Sequence, residues 1–113
     1  MTPKTKDSKL ELKTEDQPLH DYELIYIISP EVSDEALEIS ITSVSQFITG
    51  KGGSVSDEER WGKKKLAYPI KHFLEGSYVL ARFKMSPVWS KELEANLRIS
   101  EDVLRHLLIR MGS

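Results

Sequence analysis

Apolar residues follow two rhythms along this chain, one with a period near two and one near three and a half, and the changes between them mark its elements. From Asp21 to Ser29 the run Tyr22, Glu23, Leu24, Ile25, Tyr26, Ile27, Ile28 is dense in β-branched and aromatic residues and halts at Pro30, which predicts a strand. Ser33 then reads as a helix N-cap, with Asp34 and Glu35 in the first turn where the helix dipole favours acids. Leu37, Ile41, Val44 and Ile48 recur at helical spacing until Gly50, Gly52 and Gly53 end the segment. A second extended stretch runs from about Ser54 to Ile70, with a bulge or bend expected at Gly62 and an edge position implied by Pro69. Residues His72 to Gly76 read as a hairpin turn, and Tyr78 to Met85 as a third strand with Val79, Ala81 and Phe83 on one face and Tyr78, Leu80 and Arg82 on the other. Ser86 before Pro87 predicts a helix entry, Trp89, Leu93 and Leu97 its buried stripe, and Val103 to Met111 a last strand.

The order strand, helix, strand, strand, helix, strand predicts an α+β fold of the ferredoxin-like, split βαβ kind: a two-layer sandwich of four antiparallel strands with two helices on one face. Residues 1–19 carry only Leu10, Leu12 and Leu19 as large apolar groups and read as a flexible N-terminal extension, leaving 20–113 as the folded domain. If the helices cover one face, the other should be polar, yet the first strand is apolar on both. A protein partner over that face is therefore expected, with Tyr22 and Tyr26 as candidate partner-binding residues; scattered surface apolar residues are the alternative.

Charge sharpens the picture. The net charge of -2 conceals a stretch from Tyr22 to Glu59 with one base against eight acids, and a stretch from Arg60 to Ser113 with eleven bases against five acids. A basic half can attract phosphates within an acidic chain, unless the two halves neutralise each other in the fold. No cysteine is present, which excludes disulfides, thiolate nucleophiles and cysteine-based zinc sites and suits a reducing cytoplasm. The longest apolar stretch, Leu24 to Ile28, is far too short to span a bilayer, and the first 20 residues do not resemble a signal peptide.

Catalytic chemistry finds no foothold. His20, His72 and His106 lack the short spacings that mark metal sites. Ser29 to Ser33 holds Pro30 and Glu31 where a phosphate-cradling loop would need glycines, which also counts against an acylphosphatase-type enzyme. The stretch Glu75 to Phe83 opens on an acid and lacks the aromatic spacing of the common single-strand RNA-recognition module. The strongest constellation is Arg60, Trp61, Gly62, Lys63, Lys64, Lys65, Leu66, Ala67, Tyr68, Pro69, Ile70, Lys71, where lysines beside aromatic residues on an edge strand supply charges for phosphates and a ring for stacking. A lysine run can equally be a solvated face.

Tyr22 and Glu23 opening the first strand, Pro30 after it, the runs Trp61-Gly62-Lys63-Lys64 and Leu66-Ala67-Tyr68-Pro69-Ile70, and Val103-Leu104-Arg105 near the end together resemble the bacterial small-subunit (30S) ribosomal protein S6 family, over residues 21 to 111. Lys65 departs from the arginine, glutamine or acid more usual there, and the segment before His20 is an extension that inherits no role. The resemblance implies a non-enzymatic, ferredoxin-like constituent of the cytoplasmic ribosome that binds the central domain of 16S ribosomal RNA jointly with ribosomal protein S18, without cofactor, metal, membrane or small-molecule substrate. On that reading Arg60, Lys63, Lys64, Lys65, Tyr68 and Lys71 are RNA-binding candidates, and Arg98, Arg105 and Arg110 extend the basic surface. Salt bridges from the last three to Glu92, Glu94 or Glu101 are an equal alternative. A ferredoxin-like protein-interaction or regulatory domain that never meets RNA remains the rival function, to be separated by salt dependence.

Overall fold

Strand β1 (His20–Ile28) is followed by helix α1 (Asp34–Gly50), the long strands β2 (Ser54–Ile70) and β3 (Phe73–Met85), a short 3-10 turn over Pro87–Trp89, helix α2 (Ser90–Ile99) and strand β4 (Val103–Arg110). This is a computed structural model that describes residues 18–111, so the flexible extension expected over 1–19 lies, apart from Pro18 and Leu19, outside the described residues. The four strands form one sheet in the order β2-β3-β1-β4, with every pair antiparallel. That is the split βαβ arrangement the element order predicts.

Alternation decides which face each side chain takes. Tyr22, Leu24, Tyr26 and Ile28 of β1 line up across the sheet with Phe83, Ala81, Val79 and Ser77 of β3. They pack with Met85 against Ile41, Val44 and Ile48 of α1 and Leu93 and Leu97 of α2. Each of the larger apolar side chains so enclosed contributes roughly 1.5–3 kcal/mol relative to exposure. Both tyrosines therefore belong to the core, 4% and 1% exposed, and the expectation that Tyr22 or Tyr26 faces a partner is corrected. The reason is parity: the helices cover the even-numbered positions of β1, which puts Glu23, Ile25 and Ile27 on the open face.

The helix entries and exits follow local chemistry. At Ser33 the hydroxyl accepts from the Ala36 amide at 3.1 Å, the capping bond its position predicts. At the other end Gly52 adopts a positive φ of 85° and the Gly53 amide donates to the Ile48 carbonyl at 2.9 Å, closing the helix. Ser86, in contrast, makes no capping bond: Pro87–Trp89 form a 3-10 turn first, and α2 starts only at Ser90.

The hairpin also differs from expectation. The β2 ladder runs on to Ile70↔Phe73, so the turn is only Lys71-His72 instead of His72 to Gly76. Lys71 makes this tight reversal possible by taking a left-handed φ of 57°. Gly76 is a strand residue, opposite Lys64, and a side chain there would collide with the Ile27 Cγ2 methyl. At Gly62, φ 79°, the register shifts as a bulge, as its position in the strand predicts.

The Tyr26 hydroxyl is buried without a hydrogen-bond partner among the described residues. Burial first, and the nearby Glu58 carboxylate second, raise its pKa well above the ordinary tyrosine value. Tyr26→Phe should accordingly stabilise the fold by about 1 kcal/mol, because it removes a desolvated polar group that has nothing to bond. A urea midpoint that rises with an unchanged slope is the expected result; a lower midpoint would show that the hydroxyl is satisfied.

Candidate nucleic-acid interface

β1 stops pairing with β3 at Ile28↔Ser77, but β2 and β3 continue through Lys64↔Gly76 and Lys65↔Glu75 and, after a break in register, meet again at Ile70↔Phe73, making a projecting two-stranded arm. This arm bends back over the open face. The proof is a hydrogen bond from the Arg105 guanidinium of β4 to the Tyr68 hydroxyl of β2. Those strands are opposite edges of the sheet, and Tyr68 lies where β2 has left its ladder with β3, between Lys65 and Ile70, so this stretch leans across Ile27 of β1 to meet β4. Arg105 also lies 5.8 Å from the centroid of the Tyr68 ring, close enough for a cation–π contact. Under the arm a cleft of about 240 Å³ is lined by Ile27, Leu66, Tyr68, Ile70, Tyr78 and Arg105.

Nearer the sheet, Trp61 stacks on Tyr78 with centroids 6.4 Å apart and 15° between planes, and its indole N–H donates to Glu59 at 2.9 Å. Sequence reasoning placed Trp61 in the basic run; its stacking partner was legible only once the strands were in register.

The structure sorts the candidate cations into three groups. Lys63, Lys64 and Lys65 are exposed along the arm, and among the described residues none forms an ion pair. Tyr68, Lys71, Arg98 and Arg105 gather where the arm's tip reaches β4 and the end of α2. Arg60 and Arg110 stand apart. Arg60 lies on the helix side, opposite Val79, and its exposed guanidinium is shared with Glu38 at 2.7 Å and Glu58 at 3.5 Å, which sets it apart from the arm's lysines. Arg110 donates to the His20 ring at 2.8 Å, at the far end of β4 from the arm. Among the described residues none of Arg98, Arg105 and Arg110 forms the alternative salt bridge to Glu92, Glu94 or Glu101: Glu94 meets His106 at 3.3 Å and Glu92 lies 3.9 Å from Lys51.

The remaining open face divides by charge. At one end Arg82 gathers Glu23, Asp57 and Glu59 at 3.0, 2.9 and 3.4 Å, and its hydrogen bond to Glu23 holds the guanidinium above its usual range. Outside the arm's cover, Ile25, Leu107 and Ile109 form an apolar strip, with Leu107 56% and Ile109 37% exposed. These residues, not the tyrosines, are what sequence parity could have pointed to once the helix face was known.

A cleft of about 420 Å³ between α1 and α2 is lined by Ile39, Phe47, Leu93, Ile99 and their neighbours without one titratable side chain. Among the described residues no group of histidines and acids is placed to hold a metal. A split βαβ sandwich with an exposed cationic arm and an apolar open face is built to bind large surfaces instead of turning over a small substrate. Its residues 21–110 match the family described as ribosomal protein S6. The chain is 40% identical over 93 residues to the small ribosomal subunit protein bS6 of Moorella thermoacetica, covering 82% of this chain and 95% of that one. It is 44% identical over 92 residues to the bS6 of Carboxydothermus hydrogenoformans, covering 81% and 96%. A crystal structure of 30S ribosomal protein S6 from Thermotoga maritima superposes with a TM-score of 0.78 at 32% identity, covering 82% of this chain and 88% of that one. The chain belongs to the ribosomal protein S6 family, and is a structural, non-enzymatic constituent of the small ribosomal subunit whose partners are ribosomal.

Proposed function

We propose that this chain binds the central domain of 16S ribosomal RNA through the arm while holding ribosomal protein S18 against the apolar strip of the open face. One observation carries this reading: the lysines Lys63, Lys64 and Lys65, which pair with no acid among the described residues, lie on an arm that reaches over the same face on which Leu107 and Ile109 stand exposed. RNA phosphates and a protein surface can then be engaged side by side, the lysines supplying point charges and the strip supplying apolar burial.

The test is to replace Lys63, Lys64 and Lys65 together with alanine and measure affinity for a central-domain RNA fragment, S18 present, across a salt series. If all three meet phosphates, affinity should drop at least about 10-fold at fixed salt and the slope of log K against log salt should shrink by roughly 2 to 3. An affinity and slope equal to those of the unmodified chain would remove RNA from the function of this run and leave a protein-only docking domain.

A further inference from the structure

We propose that the pocket at the arm's tip is a seat for a phosphate group of the RNA backbone, an inference that rests on the RNA reading above and names one place where it is realised. The pocket, about 340 Å³, receives Lys71 from the hairpin turn, Arg98 from the last turn of α2, and Arg105 and His106 from β4, with Ser100 beside them. No carboxylate is among its lining residues. A space of that volume is about 9 Å across, close to the Debye length of roughly 8 Å at physiological salt, so its three permanent cations, though exposed and partly screened, still repel one another. Arg98 has a local reason to be where it is, since a cation suits a helix C-terminus. Arg105 is held by Tyr68, but Lys71 has no such partner, and an anion between the three turns the repulsion into attraction.

Backbone geometry supports the same conclusion independently. Lys71 has φ 57°, a conformation that glycine or asparagine adopts at little cost and that a lysine resists. Strain of this kind is retained where the side chain is needed. Arg105 gives one of its N–H groups to Tyr68, which fixes the guanidinium and leaves its other donors available for phosphoryl oxygens. The seat continues the cationic strip of Lys63–Lys65, which is why a backbone phosphate suits it better than a free one.

The decisive variant is Lys71→Gly combined with Arg98→Gln in the full chain. Glycine relieves the left-handed strain, so Tm should hold or rise, yet affinity for the central-domain RNA fragment should fall about 10-fold and the salt slope should shrink by roughly 1.5, two contacts' worth. Arg98→Lys, which keeps the charge, should preserve the slope. If the double variant binds RNA as the native chain does while the Lys63/Lys64/Lys65 variant is impaired, the seat is wrong and the RNA reading stands; if neither variant is impaired, both fall. Titration with inorganic phosphate against chloride at matched ionic strength, following the Ser100 and His106 amides, separates sources. Shifts specific to inorganic phosphate in a pocket whose loss leaves RNA affinity untouched would assign it to a free anion and overturn the proposal.

Discussion

Gly53→Ala is expected to lower the stability of this chain by about 3 kcal/mol, with a fall in Tm on the order of 15 °C. A Cβ at Gly53 would collide with the Lys84 carbonyl oxygen, lie 2.9 Å from Ile48 Cγ2 and sit 3.1 Å from the Ile48 carbonyl oxygen. Two of those three obstacles are backbone, one on the end of α1 and one on β3, so neither can swing aside as a flexible side chain would. Relief requires the helix end to move away from the sheet, and with it Ile48, a wholly buried member of the core. The control is Gly50→Ala: nothing lies within 4 Å of a side chain there, and the residue is helical. That change should stabilise by about 0.5–1 kcal/mol, because alanine loses less backbone entropy in a helix. Urea denaturation of the two variants with a common slope is the measurement. Equal midpoints would show that the helix–sheet junction is looser than its packing implies.

Gly50, Gly52 and Gly53 also show where sequence reasoning stops. As a string they mark a helix end, and that is correct; which one carries a left-handed turn and which one admits a neighbouring strand depends on β3, some 30 residues later. The elements themselves were legible because periodicity, capping and turn chemistry are local: Ser33 caps as expected, and Gly62 marks its bulge. The parity of β1 was not. Leu24 and Ile25 are equally apolar, so the pattern showed two apolar faces without saying which the helices would take, and Tyr22 and Tyr26 were assigned to the wrong one. Gly76 misled for a related reason. A glycine near a hairpin suggests the turn, whereas this one is a strand residue kept small by Ile27, and the turn falls on Lys71, a residue type that gives no turn signal. The basic run was legible as a run; that Arg60 leaves it for Glu38 and that Arg105 joins it from the opposite edge are consequences of the arm's curvature, which no short window contains.

The apolar strip offers the cleaner test of the partner surface, since its residues face solvent in the isolated chain. Leu107→Asp together with Ile109→Lys should leave the fold within about 0.5 kcal/mol of the native stability, as exposed substitutions commonly do. The signs are chosen from the register: an aspartate at 107 is two residues from Arg105 on the same face, and a lysine at 109 stands opposite Glu23 of β1, so each new charge meets an opposite one in the free domain. Against a docked protein the same charges must be desolvated beside apolar side chains, and two anchors are lost at once. The joint complex with S18 and RNA should then weaken by about 3 kcal/mol, roughly 100-fold. The single variant Ile109→Lys, whose new charge meets Glu23 and leaves Arg105 to the RNA, should bind RNA without S18 no more weakly than the native chain, and this separates loss of the protein partner from loss of RNA. Tyr22→Asp provides the contrasting case: it buries a carboxylate in the core against Phe83 and should abolish folding instead of selectively weakening assembly. A Leu107/Ile109 variant that still assembles with S18 at native affinity would mean that the open face is not where that protein docks, whatever the arm does with RNA.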